Sequence, residues 1–428
     1  MTRGSMPGTR LTQSTMEPDA PGDPAELPRY FDRQTGLLQR RVFVDPAIFR
    51  QELSGIFRRS WLFVGPGNWL ARSGDFVTSR MGDESVIVWR SEEGTLRVFV
   101  NRCLAGHQPV CSEPRGWALQ LSCPCHHWLY NSRGQLLSEP SHALGEIPRV
   151  AGYKGLIFAN HDPGAVPLVD WLGEYAWYFD LILDRRPGGL EAYGHDAFRW
   201  TVDANWKLPV DAFCGDISRD LTLPAASMRT PEELLPSAPQ EGFQVFTDNG
   251  AMAVMTGRVE RGRTNPHSQI GEPRISFEPI LGTLFPTLSF DWRTPSLHVW
   301  HPLSPSRTEI HSYCLVDAHA PAWEKEAARR AFQFQYGPAG IRSEDDAVLW
   351  RSITSRSAGR RDYPFHLRMG LGRERRTNLP GTFGDLVSEA NQRAFFDWWQ
   401  RHLVEPQQAV TQIHRANVVD NIAGVNFG

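Results

Sequence analysis

The period of the apolar positions changes along this chain, and the change divides it in two. From about residue 56, short runs of branched and aromatic residues dominate: "DFVTSR", "SVIVWR", "LRVFVNR" after the turn "SEEGT", and later "GLIFAN". Such runs, broken by glycine-containing turns, predict an antiparallel all-β unit. Beyond a composition shift at "DRRPGGLEAYG", near residue 185, strand patterns alternate with helical ones. "GFQVFTDNGAMAVMTG", "TLSFDW", "SLHVWHPL" and "EIHSYCLVDA" read as strands. One helix opens at Pro321 in "PAWEKEAARRAFQFQYG" and stops at Gly337-Pro338, a second starts at Ser343 in "SEDDAVLWRSITS", and a third is "EANQRAFFDWWQRHL". The second half therefore reads as α+β, a sheet carrying helices, with no internal repeat.

Length and charge narrow the picture. A chain of 428 residues is long enough for two or three folding units. Its 45 Lys and Arg against 48 Asp and Glu leave a formal charge of −3, no footprint for nucleic acid or an acidic membrane surface. Residues 1–27, rich in Pro, Gly, Ser and Thr, read as a disordered arm without a signal peptide. No apolar run approaches the roughly 20 residues that span a bilayer, so a soluble, cytoplasmic protein is expected.

The cysteines add chemistry. Four of the six, Cys103, Cys111, Cys123 and Cys125, fall within 23 residues on two loops of the β unit, one after "LRVFV" and one after "WALQL". In a reducing compartment such a cluster points to metal or redox chemistry before disulfides. His126, three residues after Cys123, adds an imidazole. Cys214 and Cys314 lie in apolar surroundings and are expected in the core.

Over residues 28–405 the chain resembles the large (α) subunit of Rieske-type aromatic-ring-hydroxylating oxygenases. The segments that carry the resemblance are "IFRRSWLFVGP", "FVNRC", "CPCHHWLYNSRGQL", "YKGLIFAN", "NWKLPVDAFCGD", "YGPAGIRSEDDAVLW" and "FFDWW", in the order and spacing of that family. The resemblance implies an N-terminal all-β Rieske-like domain and a helix-grip (Bet v1/START-like) α+β domain of catalytic type. The expected layout is a helical segment at 28–55 packing on the C-terminal domain, the Rieske-like domain at 56–175 and the helix-grip domain at 185–428. It also implies a [2Fe-2S] cluster, with two thiolates on one iron and two imidazoles on the other, and a mononuclear iron held by two His and a carboxylate.

Carried over residue by residue, these sets are incomplete. Cys123 and His126 stand at the second cluster motif, whereas the first reads Cys103-Leu104-Ala105. His107, Cys111, Cys125 and His127 are substitutes by chemistry. They read more simply as polar loop residues (the two His) and small packed apolar groups (the two Cys). The two iron histidines correspond to Arg219 and Pro224, neither of which offers a lone pair to Fe(II). Asp346, with Asp345 beside it, matches the carboxylate ligand, although Ser343-x-x-Asp346 also suits a helix start. The family's Glu-Asn pair is Asp211-Ala212 here, and Asp216 matches the carboxylate that bridges neighbouring subunits.

The expectation is that mononuclear iron is absent and the [2Fe-2S] cluster absent or non-standard, with zinc another cation for Cys103, Cys123 and His126. Arg219 and Asp346 are expected to pair in the former iron pocket, since a buried guanidinium needs a counter-ion. The favoured reading is a non-catalytic subunit of a trimer or α/β hexamer, with a small β subunit, an active α subunit, or both. Against it stand an active oxygenase with other ligands, drawn from Asp211, Asp216 or Asp220, and a small-molecule-binding protein using the helix-grip cavity.

Overall fold

The computed structural model describes residues 30–404 apart from 106–107, 187, 216–241, 261–273, 338 and 360–362. Strands β1 (Phe31–Asp32) and β2 (Leu37–Leu38) pair, and helix α1 (Pro46–Glu52) follows, its first turn capped by Asp45 accepting from Ala47 N at 2.8 Å. Both elements lean on the far end of the chain. Phe31 N donates to Gln400 Oε1 at 2.8 Å, and the Tyr30 ring sits edge-on to Trp399 at 5.7 Å.

The β unit comprises β3 (Leu62–Pro66), β4 (Asp75–Met81), β5 (Glu84–Arg90), β6 (Leu96–Val100), β7 (Arg115–Trp117), β8 (Gln120–Ser122), β9 (Leu129–Asn131), β10 (Arg149–Tyr153) and β11 (Leu156–Asn160). They form an antiparallel sheet β6-β5-β4-β7, a second sheet β10-β11-β3 and a hairpin β8-β9. The run "WALQL" is not one strand. β7 ends at Trp117 because Ala118 turns aside, its N–H donating to Gly74 O and its carbonyl accepting from Trp89 Nε1, each at 2.9 Å.

Two short helices, α2 (Leu168–Leu172) and α3 (Tyr175–Leu183), lead into the second unit. This unit is built from β12 (Leu190–Val202), helix α4 (Lys207–Gly215), β13 (Gly242–Phe246), β14 (Met252–Glu260), β15 (Arg274–Leu284), β16 (Leu288–Asp291), β17 (Ser296–Ser304) and β18 (Arg307–Asp317). It continues through α5 (Ala322–Tyr336), α6 (Ile341–Gly359), β19 (Phe365–His366, paired with β2), β20 (Arg375–Arg376), β21 (Thr382–Asp385) and α7 (Ala390–Val404). Nine strands make one antiparallel sheet in the order β12-β18-β17-β16-β15-β14-β13-β21-β20, with α4 and α7 packed against it.

Next to the β12 edge that sheet is covered on both faces, so β18 is buried almost throughout instead of alternating. Glu309 and Tyr313 meet the β unit, Glu309 accepting from Arg80 Nε at 2.8 Å and the Tyr313 ring lying 5.5 Å from Phe63. On β17, Trp300 turns the other way and contacts Trp350 of α6, ring to ring, at 5.8 Å.

Helix α5 runs from Ala322 to Tyr336 as its Pro and Gly punctuation predicts. Helix α6 corrects the expectation: it starts at Ile341, two residues before Ser343, because Glu344 N already donates to Gly340 O at 3.1 Å. Ser343 is therefore an interior, buried helix residue, and Asp346 lies beyond the first turn. The helix-start explanation for Asp346 fails.

Candidate metal centre

Two loops at one end of the β unit carry the sulfur ligands. The first, after β6, is closed by the buried amide of Asn101, which accepts from Val110 N and Cys111 N at 2.9 Å each and donates to Cys111 O at 2.7 Å. Cys103 N donates to Gln108 O at 2.8 Å, turning the Cys103 side chain inward. The second, between β8 and β9, is closed by Cys123 N to Trp128 O and His127 N to Cys123 O, both 2.9 Å. His127 has φ 55°, a left-handed conformation that non-glycine residues rarely adopt, and this tight turn folds His126 back over Cys123.

Three ligand atoms converge. His126 Nδ1 lies 3.7 Å from Cys103 Sγ and 3.8 Å from Cys123 Sγ, and all three lie within 4.8 Å of one another. The two cysteines are buried and His126 is exposed. Tyr130, which sequence reasoning missed, places its hydroxyl 3.7 Å from Cys103 Sγ. Only its apolar position in β9 was legible, and that points to core. Burial pushes the Cys103 thiol up, but hydrogen bonds from the Ala105 backbone, Cys123, Tyr130 and His126 outweigh it and bring the thiol down to about 7. Burial and the neighbouring Cys103 push Cys123 up. The surroundings of Cys103 thus favour its thiolate, a disposition that suits a cation.

Among the described residues no fourth His, Cys, Asp or Glu joins this set. Ala105 is exposed on the first loop, and His107 lies outside the described residues. Cys111 is buried, as expected of a packed apolar group. Cys125 is not: it is exposed at the tip of the second loop, because Cys123 takes the inward position of that turn. Cys214 and Cys314 are both buried.

Of the residues assigned to mononuclear iron, Asp211, Asp345 and Asp346 fall within the described residues. Arg219, Asp220, Pro224 and the bridging Asp216 do not, nor does the expected Arg219–Asp346 pair. Asp346 is half-buried on α6, within electrostatic reach of Arg293. Beside it lies a polar cluster that the sequence did not announce. The buried Asp291 accepts from Arg293 Nε and Nη2 at 3.0 and 2.8 Å and from the Tyr336 hydroxyl at 2.5 Å. Burial pushes the Asp291 carboxyl up to about 6 against these donors, and pushes Arg293 down to about 10. Nearby His298 is held between Ser296 and Ser312 at 3.0 and 2.9 Å, and burial takes it down to about 3.

A β domain presenting cysteine and histidine on two loops, joined to a nine-stranded helix-grip sheet, defines the architecture of a Rieske non-haem iron oxygenase. Residues 60–151 match the Rieske [2Fe-2S] domain family, and residues 168–405 match the ring hydroxylating alpha subunit (catalytic domain) family. The chain belongs to the ring-hydroxylating oxygenase α-subunit family. It is 31% identical to the biphenyl 2,3-dioxygenase subunit alpha of Rhodococcus jostii (strain RHA1), over 93% of this chain and 95% of that one. It is 29% identical to the benzene 1,2-dioxygenase subunit alpha of Pseudomonas putida, over 89% and 94%. In structure it resembles naphthalene 1,2-dioxygenase from Rhodococcus sp. bound to indole, with TM-score 0.75 and 29% identity over 87% of this chain and 95% of that one.

The family implies a [2Fe-2S] cluster that relays electrons and an iron that activates oxygen. Among the described residues the donors that gather are Cys103, Cys123 and His126, three where a Rieske cluster takes four, while Arg219 and Pro224, expected at the iron positions, lie outside the described residues. A cavity of about 80 Å³, lined in part by Leu190, Trp292, Leu315 and Lys325, opens beside β18. It is well below the roughly 300 Å³ at which small-molecule sites begin.

Proposed function

We propose that this chain is a non-catalytic α-type subunit that supports a Rieske oxygenase assembly, a trimer or α/β hexamer. Its partners are a small β subunit, an active α subunit, or both. The observation that supports this is the donor chemistry at three positions in two separate sites, where Ala105, Arg219 and Pro224 stand in an otherwise complete frame. Outer-shell changes alone typically reduce metal affinity or activity about 10 to 100-fold, so the loss of direct ligands removes electron transfer and oxygen activation together. Among the described residues no helix is long and apolar enough to cross a membrane. A cytoplasmic assembly acting on an aromatic hydrocarbon, of the kind for which the relatives are named, fits this reading.

The test is expression of the full chain, alone and together with an α/β oxygenase pair, with biphenyl and benzene supplied. The expected result is no hydroxylated product from the chain alone and stable copurification with one of the partner subunits. Hydroxylation by the chain alone, or a monomer that associates with neither subunit, overturns the proposal.

A further inference from the structure

The distances at the first loop pair carry more than an incomplete cluster. In a Rieske centre the thiolates and the imidazoles bind different irons, so sulfur and nitrogen ligands are separated by two metal–ligand bonds and an iron–iron spacing, roughly 5 Å or more. Around one tetrahedral ion with bonds of ~2.3 Å to sulfur and ~2.05 Å to nitrogen, the same atoms stand about 3.6 Å apart. The separations here are 3.7 and 3.8 Å, from two different sulfurs to one and the same nitrogen.

The geometry points to a site for a single tetrahedral metal ion, held by Cys103 Sγ, Cys123 Sγ and His126 Nδ1, with no further His, Cys, Asp or Glu ligand among the described residues. The donor set decides the class of ion. Two thiolates and an imidazole suit zinc, whereas hard cations prefer oxygen. No fourth protein ligand reaches the set among the described residues, and the residue on the loop where the family carries its fourth ligand is the exposed Ala105. The burial pattern fits a site reached from one side only: both cysteines are covered, and the exposed His126 is flanked by Trp128, its ring 5.7 Å away. This assignment rests on the same incomplete ligand set as the proposed function, but it predicts a gain where that reading predicts only a loss.

The experiment uses the full chain, purified without chelators, and measures zinc, iron and acid-labile sulfide per chain, followed by replacement of the native metal with Co²⁺. One zinc per chain is expected, with no labile sulfide. The cobalt form should show the intense visible bands of a tetrahedral ion and a thiolate-to-metal band in the near ultraviolet. His126→Ala, at an exposed position that does not threaten folding, should weaken zinc binding on the order of 100-fold or more. Ala105→His should tighten it. Two irons and two sulfides per chain overturn both this assignment and the proposed function. Absence of stoichiometric zinc or cobalt binding, or binding indifferent to His126→Ala, overturns this assignment alone and leaves the proposed function standing.

Discussion

Two polar sites in this molecule have opposite designs. Under the N-terminal segment, Lys207 at the start of α4 and Glu52 at the end of α1 form an ion pair with neither side chain exposed to solvent. Every neighbour serves it: Trp206 Nε1 and Trp399 Nε1 each donate to Glu52 at 2.9 Å, and the Lys207 ammonium lies 5.1 to 5.9 Å from the Trp206, Trp399 and Phe43 rings. Burial pushes the Lys207 ammonium down, against the attraction of Glu52. At the loops, by contrast, Cys103, Cys123 and His126 bring one ligand atom each to within 4.8 Å of one another. The first site is complete and joins three distant stretches of chain. The second is held by two loops and gathers three ligand atoms among the described residues. The difference separates a polar site fixed by the packing of whole helices from one held by two loops.

The largest effect should come from breaking the complete site. Lys207→Met leaves Glu52 as an uncompensated buried charge and should cost about 3 to 5 kcal/mol in urea unfolding. Glu52→Gln combined with Lys207→Met, which removes both charges and keeps an acceptor for the tryptophans, should recover most of that loss. If the double variant is as unstable as the single one, the pair is not what joins α1 to α4.

At the loops, Asn101→Ala removes the three hydrogen bonds that close the cysteine loop and should cost about 2 kcal/mol. It should also abolish stoichiometric metal binding, measurable by metal analysis of the folded variant. Unchanged stability would mean that the loop is not held by Asn101.

Acid should act on the frame through its buried histidines. Burial lowers His298 to about 3 and His311 to about 4, so both are neutral in the folded chain and charge more readily when it unfolds. Their contribution is whole above about pH 6.5 and is lost as pH falls from there towards 4, by at most about 1.4 kcal/mol per pH unit for each group. Asp291, raised to about 6, opposes this between about pH 4 and 6, because its folded form holds a proton that the unfolded form has released. With these two histidines, and with His301 lowered by burial in the same direction, against one raised carboxyl, stability should fall on acidification. His298→Gln should flatten the urea-midpoint profile between pH 6.5 and 4, and an unaltered profile would remove His298 from the account.

The smallest effect on stability should come from the substitution most telling for the loops. Ala105→His, on the exposed part of the loop, should shift unfolding by no more than about 0.5 kcal/mol. A large shift would mean that packing at position 105 does not admit the imidazole.

Much of this was legible in the chain itself. The β runs from Asp75 to Asn160 and the helix ending at Gly337 follow from local pattern and punctuation, and Cys103, Cys123 and His126 from ligand type and spacing. Legibility failed where local rules were overridden. Ser343 and Asp346 look like a helix start, yet Gly340 lets α6 begin earlier. Cys125 looks like its buried neighbours, but the left-handed turn at His127 gives the inward position to Cys123 and leaves Cys125 in solvent.

The sequence by itself determined which side chains can bind a metal, because donor chemistry belongs to the residue type and Cys103, Cys123 and His126 carry thiol and imidazole donors in any fold. Only the tertiary structure decided how far apart these donors stand, and that Lys207 meets Glu52 across 155 residues of chain. Distances of 3.7 and 3.8 Å between two loops, like an ion pair between two helices, are set by the packing of whole sheets, and no local pattern encodes them.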